Sequence, residues 1–96
     1  MIRFRPDAVA DLQAAFAWYE GREAGVGEQL IAAVDGVVAR IDRNPRAFPK
    51  TYGEFRRAVV TRFPYCVYFV VEHSACVVVG VLHGRQDLRR LLGRNA

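Results

Sequence analysis

The side chains able to do chemistry gather in the last half of the chain. Arg56, Arg57, Arg62, His83, Arg85 and Asp87 all sit on or beside runs of β-branched and aromatic residues. A guanidinium matches the spread charge of a phosphate or carboxylate, and an imidazole titrates near neutrality. A metal-independent ribonuclease needs a base for the ribose 2′-OH, an acid for the leaving oxygen and cations for the pentavalent phosphate. His83 suits either proton role, and Arg57, Arg62 and Arg85 suit the cationic one. A structural reading stands beside this: Arg56 and Arg62 as solvated strand ends, Arg85 and Asp87 as an ion pair. Other chemistries are poorly served. Ser74 is the one serine and lies in a tight turn, no glycine-rich phosphate loop is present, and His73 and His83 lack paired carboxylates. Cys66 and Cys76 lack metal-motif spacing and fall out of cross-strand register, near Val81 and Val71 respectively, so reduced packing residues are expected. No metal and no cofactor is implied.

The 96 residues are 52% hydrophobic and 25% charged, a composition that argues for one small globular domain over residues 1–96 and against disorder. The formal net charge is +4, and all 14 basic residues except Lys50 are arginine. That balance suits an acidic partner, either nucleic acid or an acidic protein segment. Arg3, Arg5 and Asp7 interrupt any apolar start, and the longest apolar run, 75–82, is far shorter than the ~20 residues of a membrane span. A cytoplasmic, soluble protein is expected.

The elements that position these side chains follow from periodicity. Ile2 to Arg5 alternates apolar and basic as a short strand does. Pro6 opens a helix, Asp7 and Asp11 favour its positive end, and Ala8, Val9, Leu12, Ala15, Phe16 and Tyr19 share one arc to about Arg22. Trp18 falls off that arc beside Asp11 and Ala14, either padding a loop or anchoring a partner. Gly21, Gly25 and Gly27 mark a turn into a second helix, Val26 to Arg43, with a stripe of Leu30, Val34, Val37, Val38 and Ile41. Asn44-Pro45 ends it. After a connector, 46–53, three strands are expected at 55–62, 65–72 and 76–83, joined by tight turns as an antiparallel meander. In the third of these, Val77, Val79 and Val81 are expected on one face, and Val78 and Leu82 on the other. Both faces of the sheet are apolar. The helical hairpin covers one, while the tail, with Leu88, Leu91 and Leu92 among Arg89, Arg90 and Arg94, suits a short C-terminal helix too small to cover the other. A partner on that second face is expected.

The ordered set of local features resembles the RelE/ParE toxin superfamily. It comprises Ala10-Asp11-Leu12, Trp18-Tyr19-Glu20, the glycine-rich turn, Arg56-Arg57, Arg62-Phe63-Pro64-Tyr65, Tyr68 and the run Val81-Leu82-His83-Gly84-Arg85-Gln86-Asp87. The resemblance spans nearly the whole chain. It implies an α+β fold of order β-α-α-β-β-β, with a helical hairpin packed on a curved antiparallel sheet. It also implies the toxin of a type II toxin–antitoxin pair, of the kind tied to growth arrest and plasmid stabilisation, neutralised by a cognate antitoxin. Two activities exist within the superfamily. ParE-like members poison DNA gyrase without being enzymes; RelE-like members cut mRNA on the ribosome. The helices around Trp18-Tyr19-Glu20 and the His83-x-Arg85-x-Asp87 run lean to the ParE side, as does the lack of a tyrosine near the C-terminus. Arg57, Arg62, His83 and Arg85 would be the nuclease set on the RelE side. Trp18, Arg56, Arg57, Arg62, Tyr68, Arg85, Arg89 and Arg90 are the residues expected to meet antitoxin or target.

Overall fold

The computed structural model describes residues 1–84 and 87–94. Strand β1 (Ile2–Phe4) leads into helices α1 (Pro6–Arg22) and α2 (Val26–Arg43), with the bounds that Pro6, the glycine turn and Asn44-Pro45 dictate. A 3-10 turn (Pro45–Ala47) follows, then β2 (Lys50–Tyr52), β3 (Phe55–Val59), β4 (Tyr65–Glu72), β5 (Ala75–His83) and a short α3 (Asp87–Leu92). The sheet order is β1-β5-β4-β3-β2.

The meander β3-β4-β5 is antiparallel as expected, but β1 pairs with β5 in parallel, making the whole sheet mixed. The helical hairpin supplies the crossover that a parallel pair requires. The segment expected to be a plain connector also donates an edge strand, because Gly53 at φ 54° turns Tyr52 back onto Phe55. The β3 strand ends at Val59, short of Arg62.

β5 lies between β4 and β1, with the helical hairpin over one face and Leu91 of α3 over the other, which accounts for its nearly unbroken apolar run. One face packs under the helices. There Val67, Phe69, Cys76, Val78 and Val81 meet Ala8 and Ala15 of α1 and Leu30, Val34, Val37 and Ile41 of α2. The hairpin itself is fixed by Glu20. Its carboxylate accepts hydrogen bonds from the backbone N–H groups of Gly25 and Gly27, each at 2.9 Å, and so caps the start of α2. Gly25 sits at φ 94°, and a Cβ on Gly27 would lie 2.8 Å from the Phe16 ring.

Two expectations about the second face are corrected. Tyr68 pairs with Gly80 but Phe69 pairs with Val78, so Val79 is an extra residue in β5. This bulge resets the alternation. Val81 joins Val78 on the helix side, whereas Val77, Val79 and Leu82 share the second face with Cys66, Tyr68 and Val70. It also moves Cys66 opposite Leu82, while Cys76 lies opposite Val71; both are buried thiols. Secondly, that face is not left for a partner. Leu91 of α3 is fully buried among these residues, and none of them exceeds 7% exposure. Leu91 is the described α3 side chain that joins this cluster. Among the described residues the face is open over β3, where Val59 is 61% exposed and Arg57 is exposed beside it.

Candidate functional site

Beyond Val78 the parallel partner β1 no longer accompanies β5. The chain has left at Arg5, whose N–H still reaches the Val78 carbonyl at 2.9 Å, and has entered α1. Side chains replace the ladder there. The Val81 N–H donates to Asp11 Oδ2 at 3.0 Å, and Arg94 Nη1 donates to the Val79 carbonyl at 3.1 Å. Arg94 and Asp11 bond to each other as a two-pronged pair, at 2.6 Å and 3.0 Å. The Asp11 hydrogen bond holds the Arg94 guanidinium pKa above its usual value, against the opposing effect of burial.

Next to this ion pair, α1 and the end of β5 diverge and leave a groove of about 700 Å³. The arc of α1 that the core stripe does not use, Ala10, Asp11, Ala14 and Trp18, forms one wall; Tyr65, Leu82 and His83 form the other, and Arg90 of α3 closes an end. Small alanines let the groove run deep along the helix, and Trp18, 52% exposed, stands at its mouth. Its indole meets Tyr19 edge-on at 4.8 Å and lies under the Arg22 guanidinium at 4.0 Å. The aromatic contacts continue inward: Tyr19 to Tyr65 at 6.2 Å, then Tyr65 to the His83 ring at 5.6 Å. The Tyr65 phenol is pushed above its ordinary pKa, by burial first and by Tyr19 second, with Arg90 opposing. At neutral pH it is therefore a hydrogen-bond donor rather than a base.

The structure gathers some expected site residues and separates others. Trp18, His83 and Arg90 share the groove. Arg57 does not: it pairs with Tyr68, three residues along β4 from the Tyr65–His83 pair, and points to the opposite sheet face. At about 3.3 Å per residue that is a displacement of about 10 Å along the sheet, with the sheet itself between. Arg62 lies in the β3–β4 turn at φ 72°, a left-handed backbone rarely taken by residues other than glycine. It lines a different cleft, between that turn and α2, with Val26, Gln29, Ala33 and Phe63. Arg56 is a structural residue; its guanidinium donates to the Phe48 carbonyl at 2.6 Å and ties the connector to β3. Tyr68 is buried on the second face, Arg89 is exposed on α3, and Arg85 lies outside the described residues, as does any pairing of it with Asp87. The Asp11–Arg94 pair was not foreseen. The one cue in the sequence was an acid on the same arc of α1 as Trp18.

Among the described residues no group of His, Cys, Asp or Glu is arranged to hold a metal ion, and no helix is long and apolar enough to cross a membrane.

A helical hairpin on an open mixed sheet, with a groove lined by Trp18, Tyr65, His83 and Arg90 beside it, defines a small α+β protein. The family model described as the ParE toxin of the type II toxin–antitoxin system parDE matches residues 2–88, and the chain belongs to that family. Among solved structures, the fold is similar to a chain of the chromosomal ParDE toxin–antitoxin system from P. aeruginosa. The TM-score is 0.77 at 15% identity, covering 85% of this chain and 92% of that one. No curated protein matches the sequence at a significant level.

Proposed function

We propose that this ParE-type toxin arrests growth by binding and poisoning DNA gyrase in the cytoplasm, as a protein inhibitor rather than an enzyme, and that a cognate antitoxin neutralises it. The observation that carries this reading is the separation of Arg57 from His83. Acid–base catalysis at one phosphate requires the proton-transfer groups and the cations to converge within hydrogen-bond reach. Here His83 and Arg57 lie on opposite faces of the sheet, and Arg56 is committed to Phe48. What remains exposed and coherent is a docking surface: Trp18 under Arg22, the alanine floor, His83 and Arg90. A half-exposed Trp flanked by arginines is the composition of an interface anchor, and an acidic, partly apolar segment complements it. The similarity to a chain of a ParDE toxin–antitoxin system supports such a partner.

Purified toxin added to gyrase and relaxed plasmid is expected to block supercoiling or to trap cleaved DNA. Unimpaired supercoiling at excess toxin overturns the gyrase assignment.

A second reading, mRNA cleavage on the ribosome, draws on Tyr65, His83 and Arg90 lining one groove. New codon-linked 5′ ends in primer extension after induction, lost in a His83→Ala, Arg90→Ala double variant, would favour it over gyrase.

A further inference from the structure

The Asp11–Arg94 pair joins residues 83 positions apart, and it ties the segment after α3 to α1 across the edge of β5. Three observations make it more than a surface ion pair. It is sheltered, with side-chain exposures of 7% for Asp11 and 14% for Arg94. It satisfies two backbone groups of β5, the Val81 N–H and the Val79 carbonyl, that no strand meets there. Finally, it has a place made for it: a Cβ on Gly80 would come within 2.9 Å of Arg94 Nη1. The absence of a side chain at the bulge is what lets the guanidinium reach both the carbonyl and the carboxylate.

We propose that Arg94 is a latch that holds α3 closed on the second face of the sheet. The helix is six residues long, so it is too short to persist by its own hydrogen bonds, and its Leu91 is fully buried against the sheet. Its attachment depends on Leu91 and on the latch behind it. Release of Arg94 frees α3 and uncovers Tyr68, Val70, Val77, Val79 and Leu82 together. It also removes Arg90 from the end of the groove, since Arg90 is carried on the same helix. Covering the sheet and shaping the groove are thus one event, a local opening separate from unfolding of the hairpin-covered core. The inference stands on the geometry alone and does not depend on which target the toxin binds.

Hydrogen exchange of the full chain tests it. Arg94→Ala is expected to speed exchange of the amides of residues 89–94 and of Val81 at least tenfold, to raise binding of an apolar dye, and to shift the Trp18 indole and His83 ring resonances. Amides of α2 and of the β3–β4 ladder keep their protection. Gly80→Ala is expected to loosen the same amides by displacing the guanidinium, with a further effect of its own where the added Cβ would lie 3.2 Å from Leu82 Cδ1. Arg94→Lys, which keeps the charge but not the fork, should fall between wild type and Arg94→Ala. Unchanged exchange in α3 on Arg94→Ala overturns the proposal, as does an equal loss of protection throughout the chain.

Discussion

Replacing Glu20 with alanine removes the clamp on the helical hairpin. Two backbone N–H groups at the start of α2 donate to its carboxylate at 2.9 Å each, and Gly27, one of the donors, is buried. A hydrogen bond to a charged acceptor contributes about 1.5–3 kcal/mol when sheltered. Glu20 is only half-buried, so water recovers part of each. A loss of about 2 kcal/mol is expected for Glu20→Ala, and about half of that for Glu20→Gln, which keeps a neutral acceptor. With a urea m-value of about 1 kcal/mol per molar for a chain of this size, the midpoint falls by about 2 M for alanine at unchanged slope. Equilibrium unfolding followed by circular dichroism measures it. A midpoint shift below about 0.5 M would refute the reasoning, since the turn would then be held by glycine geometry and Phe16 packing alone.

Trp18→Ala is expected to weaken binding of the proposed antitoxin at least 30-fold, within the range of buried interface tryptophans; calorimetric titration with that antitoxin measures it, and an unchanged Kd removes Trp18 from the interface. Arg56→Ala should lower stability by about 1–2 kcal/mol through the lost Phe48 carbonyl bond while leaving the proposed supercoiling inhibition intact at saturating toxin; an active-site role would give the reverse. The raised Tyr65 pKa has a definite sign. The folded chain keeps the phenolic proton at a pH where the unfolded chain has begun to lose it. Stability associated with Tyr65 is therefore present below pH ~10 and declines as pH rises past that value. Tyr65→Phe should flatten the fall in urea midpoint between pH 9 and 11, and parallel curves for the two proteins would dismiss this contribution.

The parts of this fold legible in the sequence are those that depend on near neighbours. Pro6, the glycine turn and Asn44-Pro45 set both helices, because a helix is closed by bonds four residues apart and stopped by local backbone chemistry. Apolar β-branched runs separated by tight turns likewise marked β4 and β5. The off-stripe position of Trp18 singled out the arc that lines the groove, since that residue had no place in the core. The pairing of β1 with β5 joins segments more than seventy residues apart, and an unbroken valine run fits a parallel or antiparallel neighbour equally well. The bulge at Val79 was hidden for the same reason: with valine on both sides of the strand, no polar residue marks which face is which. Arg57 and His83 looked like one constellation because both are basic groups on strands of one meander, β3 and β5, with β4 between them. Only the register puts them on opposite faces. Arg94 had the appearance of one more solvated arginine in a basic tail. Its role comes from an unmet carbonyl and N–H on β5, a carboxylate on α1 and the space over Gly80, which the folded chain alone brings to one point.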